Sequence, residues 1–383
     1  MGRPSPALLV LLSALVPAGA AAAQSAPEPT VGTPIVLPYA DPPPIDLTGT
    51  RLVHRQASAR CDAEPVEPLY AEALAPRIVQ ATGEGDEAGD IPDEVIEFAV
   101  SADGRPGGIR SGAGPSPVRR TADPADVEAS LSAWRFPPEA RSNCRLTVTH
   151  QGGALGAADP ILVARALALG QRAFAPRLRQ ALKRAGDTCD QRPGLRLAIA
   201  PDRRKLAPEP GGRGWVVVRA GVGDDGRTTD VEILDASSRS AADEGRRAVS
   251  ETIFHPGSPA VGCMFSFARF GDRLPAAPLP DAPVGNQCRP EDAARLSAVA
   301  PAYPPGFLER GIEGWAVVRY DVASWGRVGG VEVLASEPAA AFGDSARQAY
   351  QAARATPAFD HVRGCVQRVR FRLPDERPPD DED

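Results

Sequence analysis

The chain has 383 residues, with 43 Lys and Arg against 49 Asp and Glu for a formal net charge of −6. That balance leaves no basic footprint for a nucleic-acid partner. With 41 prolines and 37 glycines but only 5% aromatics, the sequence predicts long loops and small cores made mostly of Val, Ala and Leu.

Met1-Gly2-Arg3, an apolar run from Ala7 to Val16, then Pro17, Gly19 and Ala20 to Ala23 form the three regions of a secretory signal. Residues 1–23 therefore read as a signal peptide cleaved after Ala23, with the mature chain exported to the periplasm. The competing reading is an uncleaved anchor, since residues 6–23 nearly reach the ~20 residues that a spanning helix needs. Pro17, Gly19 and the lack of a basic flank argue against it. Residues 24–50, with Asp41-Pro42-Pro43-Pro44, read as a Pro-rich extended tether.

Three related units follow. In residues 51–155, Ile96, Phe98 and Val100 take inward strand positions, Asp103-Gly104-Arg105 forms a turn, and Cys144 to Val148 is a closing strand. In residues 156–275, a basic helical stretch from Asp159 to Ala185, kinked or split at Pro176, precedes Gly214-Trp215-Val216-Val217-Val218-Arg219 and the turn at Gly226. In residues 280–374, Gly314-Trp315-Ala316-Val317-Val318-Arg319 repeats that strand at an offset of 100 residues, and Gly326, Val331-Glu332 and Leu334 keep the offset. Alternation places Ala316, Val318, Tyr320 and Val322 on one face and Trp315, Val317, Arg319 and Asp321 on the other. Phe342, Ala346, Ala349, Tyr350 and Ala353 fall on one helical stripe. In the last strand, Val369, Phe371 and Leu373 alternate with Arg368, Arg370 and Arg372, which marks one buried and one wet face. The expected fold is α+β: three tandem two-layer domains, each a hairpin, a helix and a closing strand in an antiparallel sheet with helices on one side. Residues 375–383 form an acidic tail.

Each unit holds two of the six cysteines, separated by 83, 74 and 77 residues. Six cysteines allow 15 pairings in principle. A repeated unit most simply carries its own bridge, giving Cys61 with Cys144, Cys189 with Cys263 and Cys288 with Cys365. Zinc sites want short ligand spacings, and no two cysteines here lie closer than 25 residues. Structural disulfides belong outside the cytosol, in agreement with the signal-like start.

No catalytic constellation emerges, and no enzymatic activity, metal or cofactor is expected. His54, His150, His255 and His361 sit in separate segments, and G-x-S-x-G and H-E-x-x-H are missing. Asp224-Asp225-Gly226 lacks the spaced ligands of a calcium loop. Glu232 and Glu332 recur at one position, either as paired carboxylates across domains or, more simply, through repetition of one ancestral strand. Trp215 and Trp315 recur on the face away from the helix, either as exposed anchors for a partner or covered by a loop or by the segment before the hairpin.

Tyr303-Pro304, Gly314, Val322 with Gly326, the strand from Val328 to Leu334, Ala346, Ala349, Pro357 and the strand from Cys365 to Leu373 together resemble the C-terminal domain of TonB, the periplasmic transducer of bacterial outer-membrane uptake. The second unit keeps Gly214, Val222, Gly226, Phe254 and Pro256, and the first keeps Val100, Gly104 and Trp134-Arg135-Phe136-Pro137. The resemblance thus extends to three tandem divergent copies. It implies that the last strand lies at a sheet edge and accepts a segment of a protein partner, such as an outer-membrane receptor, as an added strand, with Val366, Arg368, Arg370 and Arg372 as docking positions. A working transducer also has an uncleaved N-terminal helix and a long charged spacer, where this sequence reads as a cleavable signal and a short Pro-rich tether. The implied role is partner binding without established energy transduction, with membrane contact only through partners unless the N-terminus is retained. The alternative is a structural or assembly role in the cell envelope.

Overall fold

Alternating apolar residues and glycine turns build fourteen strands and seven α-helices among the described residues. The computed structural model describes residues 45–80, 91–112, 124–170, 172–189, 193–281, 286, 288, 296–297, 299–355 and 361–373. The signal-like run, all but the last residues of the tether, and the acidic tail lie outside these. None of the described helices is long and apolar enough to cross a membrane.

The first unit contains β1 (Thr50–Cys61), β2 (Glu64–Pro65), β3 (Arg77–Gln80), β4 (Glu94–Val100), β5 (Pro106–Ser111), α1 (Pro124–Ser132) and β6 (Arg141–Ala154). The second contains α2 (Pro160–Leu169), α3 (Ala175–Leu182), β7 (Leu195–Leu197), α4 (Arg203–Leu206), β8 (Arg213–Val222), β9 (Thr228–Ala236), α5 (Arg239–Glu251), β10 (Ile253–Phe254) and β11 (Ala260–Phe270). The third contains α6 (Pro305–Arg310), β12 (Gly314–Val322), β13 (Val328–Glu337), α7 (Ala340–Ala352) and β14 (Val362–Phe371). Three sheets share one plan, with the first hairpin strand central and the closing strand on its far side: β5-β4-β6, β9-β8-β11 and β13-β12-β14. In the first sheet β1 extends that plan by lying outside β6, with β2 and β3 beyond it.

The repetition reaches the level of register. Val218 faces Ile233 and Arg219 faces Glu232 in one hairpin, Val318 faces Val333 and Arg319 faces Glu332 in the other, and both hairpins shift register at the same two places. The recurrent glutamates are therefore cross-strand ion partners of Arg219 and Arg319. In the first hairpin the pair is kept with reversed polarity, Glu97 on the central strand accepting from Arg110 Nε at 2.9 Å. Each turn glycine is also fastened to the segment entering the closing strand: Phe136, Phe254 and Ala355 donate their N–H to the carbonyls of Gly104, Gly226 and Gly326 at 2.9, 2.8 and 2.8 Å. These glycines have φ near +80°, and a Cβ there would meet the same residues' carbonyl oxygens at 2.2, 2.2 and 2.7 Å.

Three expectations are corrected. The cores are not three separate ones. Ile96, Phe98, Ile109, Val127 and Leu146 of the first unit join Phe307, Ala316, Val318, Tyr320, Phe342 and Phe371 of the third in one continuous cluster. Ile109 bridges the units directly, pairing in parallel with Ala339 and donating its N–H to Pro338 O at 2.9 Å. Nor do helices lie on one side throughout. In the second sheet α5 covers one face, burying Ala241 and Val249 against Val216 and Val218. The other face carries Val217, Leu234 and Met264, too apolar to be left wet, and α2 covers it, with α3 packed on α2. Pro176 sits in the first turn of α3, so the basic helical stretch is split there. Trp215 is 4% exposed, its Nε1 donating to Asp235 Oδ2 at 2.8 Å beneath Arg165 of α2. The first strand also begins at Thr50, one residue inside the expected tether.

The three units meet at a buried ion pair. Arg310 of α6 places Nη2 2.6 Å from Glu72 Oε1, with the two residues 4% and 6% exposed. Ser130 Oγ donates to Glu72 Oε1 at 2.6 Å, Arg213 N–H donates to Oε2 at 2.7 Å, and Arg310 Nη1 donates to Gly211 O at 3.4 Å. Removing one charge alone, as in Glu72→Gln, is expected to cost about 3–5 kcal/mol by leaving the other buried and uncompensated. Replacing both residues by Leu and Met should recover most of that loss in urea denaturation.

All six cysteines are paired within units, Cys61–Cys144, Cys189–Cys263 and Cys288–Cys365. Non-reducing peptide mapping is expected to recover these three links. The double variant Cys288→Ala/Cys365→Ala should lose about 4 kcal/mol of stability, the loop-closure entropy of a chain this long, measured as a lowered denaturation midpoint.

Candidate partner-binding edge

The alternation in β14 sorts its side chains between the core and water. Cys365 and Phe371 are buried, Gln367 and Val369 half-buried, and Arg368, Arg370 and Arg372 exposed. Phe371 packs edge-on against Phe342 of α7 and against Tyr303, with ring centroids 5.0 and 5.8 Å apart. β14 pairs with β12 from Gly314↔Phe371 to Tyr320↔Cys365, and no strand lies on its other side among the described residues.

The direction of the free main-chain groups follows from one bond. Val366 N–H donates to Asn286 Oδ1 at 3.1 Å rather than to β12. Hydrogen-bonding direction alternates along an antiparallel strand, so the N–H and C=O groups of Arg368, Arg370 and Arg372 also face away from β12. Leu373 N–H, of the opposite parity, turns back to Glu313 Oε1 at 3.1 Å. Of the four expected docking positions, Val366 thus already has a partner for its donor. The three arginines combine an outward side chain with an outward main-chain edge.

A strap formed by the stretch before the third unit crosses the outer face of this sheet. Trp315, 7% exposed, donates its Nε1–H to Ala277 O at 3.0 Å beneath Pro275 and Ala276. Arg368 Nη1 donates to Pro280 O at 3.2 Å. Farther along the chain, Cys288 is disulfide-bonded to Cys365 of β14 itself. Trp315 is therefore covered by the segment before the hairpin, as Trp215 is, and neither is an exposed anchor. Trp325 at the hairpin turn is the exposed tryptophan, at 78%.

The equivalent edges of the other two sheets are engaged differently. β1 runs antiparallel along β6 from Arg51↔Ala154 to Cys61↔Cys144, with the disulfide joining the last opposed pair. At the start of β11, Thr188 and Cys189 donate their N–H groups to Val261 O at 3.0 and 3.1 Å, next to the bridge from Cys189 to Cys263. In every unit the disulfide holds an upstream segment against the closing strand. Sequence reasoning placed the cysteines and missed what they hold. The inward residues of β1 include Arg55, Ala57 and Ala59, so its apolar alternation is weak, and the run Leu274-Pro275-Ala276-Ala277-Pro278-Leu279-Pro280 was the available sign of the strap.

The described residues gather no group of three or more His, Cys, Asp or Glu able to hold a metal. His150 is buried 3.3 Å from Glu94, and burial lowers its pKa despite that neighbour.

Residues 299–373 match the family model described as Gram-negative bacterial TonB protein C-terminal. The match covers α6 through β14 and is to one copy, not to the three that the repeats led us to expect. No curated protein matches the chain. By this comparison the third unit, from just before α6 to the end of β14, is similar to the C-terminal domain of TonB.

Proposed function

We propose that the chain is an exported periplasmic protein that binds an extended segment of a protein partner by strand addition along the outer edge of β14, from Arg368 to Arg372. The observation that carries this reading is β1 on β6: in the first sheet an extended segment already lies antiparallel along the equivalent closing strand. Main-chain hydrogen bonds would supply affinity, and alternate side chains specificity. Three outward arginines favour a segment with acidic or polar residues at alternate positions. The similarity of the third unit to the TonB C-terminal domain makes an outer-membrane TonB-dependent receptor the first partner to test. In this reading the first and second units are divergent copies of the third, and the protein works without cofactor, metal or catalysis.

A second reading, a structural role in envelope assembly without a transport receptor, is favoured by the shared core of the first and third units. Pull-down from the periplasm and outer membrane separates the two, because only the first predicts recovery of outer-membrane receptors.

Arg370→Pro removes an outward donor and leaves the β12 ladder untouched. The variant is expected to keep its circular-dichroism spectrum and to bind the recovered partner at least ten-fold more weakly. Unchanged binding by a folded variant would exclude strand addition at this edge. Replacing Arg368, Arg370 and Arg372 together by Ser should weaken binding at low salt and flatten its ionic-strength dependence, since exposed charges act through screened attraction.

A further inference from the structure

A cleft of about 610 Å³ lies between the β4–β5 hairpin of the first unit and the start of β12 and end of β13 in the third. Its walls are largely apolar, with Pro106 on one side, Ile312 and Pro338 on the other, and Trp315 beneath the strap residues Pro275 and Pro278. Four charged residues line it: Asp103, Arg105, Glu313 and Glu337. Arg105 is taken by Asp103, Nε to Oδ2 at 3.2 Å. Glu313 and Glu337 have no ion-pair partner among the described residues, and each is held by a backbone donor: Leu373 N–H to Glu313 Oε1 at 3.1 Å, and Gly108 N–H to Glu337 Oε2 at 2.9 Å.

Glu337 is the unusual member. It stands directly across the ladder from Trp315 and on the same face of the sheet. Its side chain crosses to the other unit, where a Cβ on Gly107 would come within 2.6 Å of Oε2. Burial raises its pKa, with the Gly108 N–H opposing. A carboxylate half out of water, with one oxygen held by an amide and no cation beside it, is costly unless a positive group arrives.

We infer that this cleft receives a basic side chain, lysine or arginine, carried on an extended peptide segment of a protein partner. The aliphatic stem would lie along Trp315 and the proline walls, and the charged head would reach Glu337 and Glu313. A bare metal ion fits less well, because the apolar walls would give it nothing and no three-ligand group is assembled here. The lining of the cleft does not include Arg368, Arg370 or Arg372, and its occupant needs no strand addition along β14.

The test uses the full chain, ¹⁵N-labelled, titrated with the peptide Ac-Ala-Lys-Ala-Pro-Ala-NH2 and with the same peptide carrying norleucine in place of lysine. The lysine peptide is expected to shift the Gly107 and Gly108 amides and the Trp315 indole N–H saturably, and the norleucine peptide to bind at least ten-fold more weakly. Glu313→Gln/Glu337→Gln, which keeps both acceptors, should lose at least ten-fold in affinity. Equal binding of the two peptides, no binding of the lysine peptide, or shifts mapping away from the cleft would each overturn the inference. So would undiminished affinity of the double glutamine variant. Should that variant misfold, the two peptides on the unaltered chain still decide.

Discussion

The buried pair of Glu72 and Arg310 ties the architecture together, because neither charge is tolerable in the interior alone. The pair needs groups from all three units. The carboxylate comes from the loop between β2 and β3, the guanidinium from α6, and Arg213 of β8 adds a backbone N–H to the second carboxylate oxygen. Arg310 also lies over the Phe270 ring, 5.2 Å from its centroid, at the end of β11. A buried ion pair contributes little net stability relative to an apolar replacement but penalises arrangements that separate its members. Its role here is to specify how three sheets of one plan are placed, where apolar contact alone would admit several packings.

Given that placement, the shared core of the first and third units follows, and so does the different fate of each closing strand. The β6 edge is filled by β1, the β11 edge is clasped at its start, and the β14 edge is clasped at Val366 and left with outward main-chain groups beyond it. An unpaired edge is an aggregation hazard, and charged side chains are a usual protection. Arg368, Arg370 and Arg372 provide that protection whether or not a partner ever adds to the strand. The strap supplies the rest by shielding Trp315, which would otherwise leave the outer face apolar.

Much of this was legible in the sequence. The offset of 100 residues between the second and third hairpins carried over into identical pairing, and the cysteine spacing paired correctly because each bridge closes on its own closing strand. Asp103-Gly104 and Phe136-Pro137 marked the first unit despite its divergence, since the turn glycine and the residue before the proline touch each other. What could not be read was where units meet. Whether Val217 and Met264 look toward water or toward α2 is decided by segments far away in the chain, and a period of two in a strand is silent on which face is covered. β1 escaped notice because its inward positions include Arg55, a charged side chain whose Nη1 is paired with Asp126 at 3.2 Å.

The reversed polarity of the first hairpin bears on how the chain sorts its own pieces as it folds. Repeated units of like plan are prone to exchange strands with one another. If β4 were to pair with β9 in place of β5, Glu97 would oppose Glu232, and if β8 took β5, Arg219 would oppose Arg110; like charges directly opposed destabilise a strand pair. The first hairpin is thereby marked as foreign to the other two. The second and third carry the same arginine-to-glutamate order and enjoy no such mark, so their correct separation falls to what surrounds them: α2 covering one sheet, the strap covering the other, and a separate disulfide closing each.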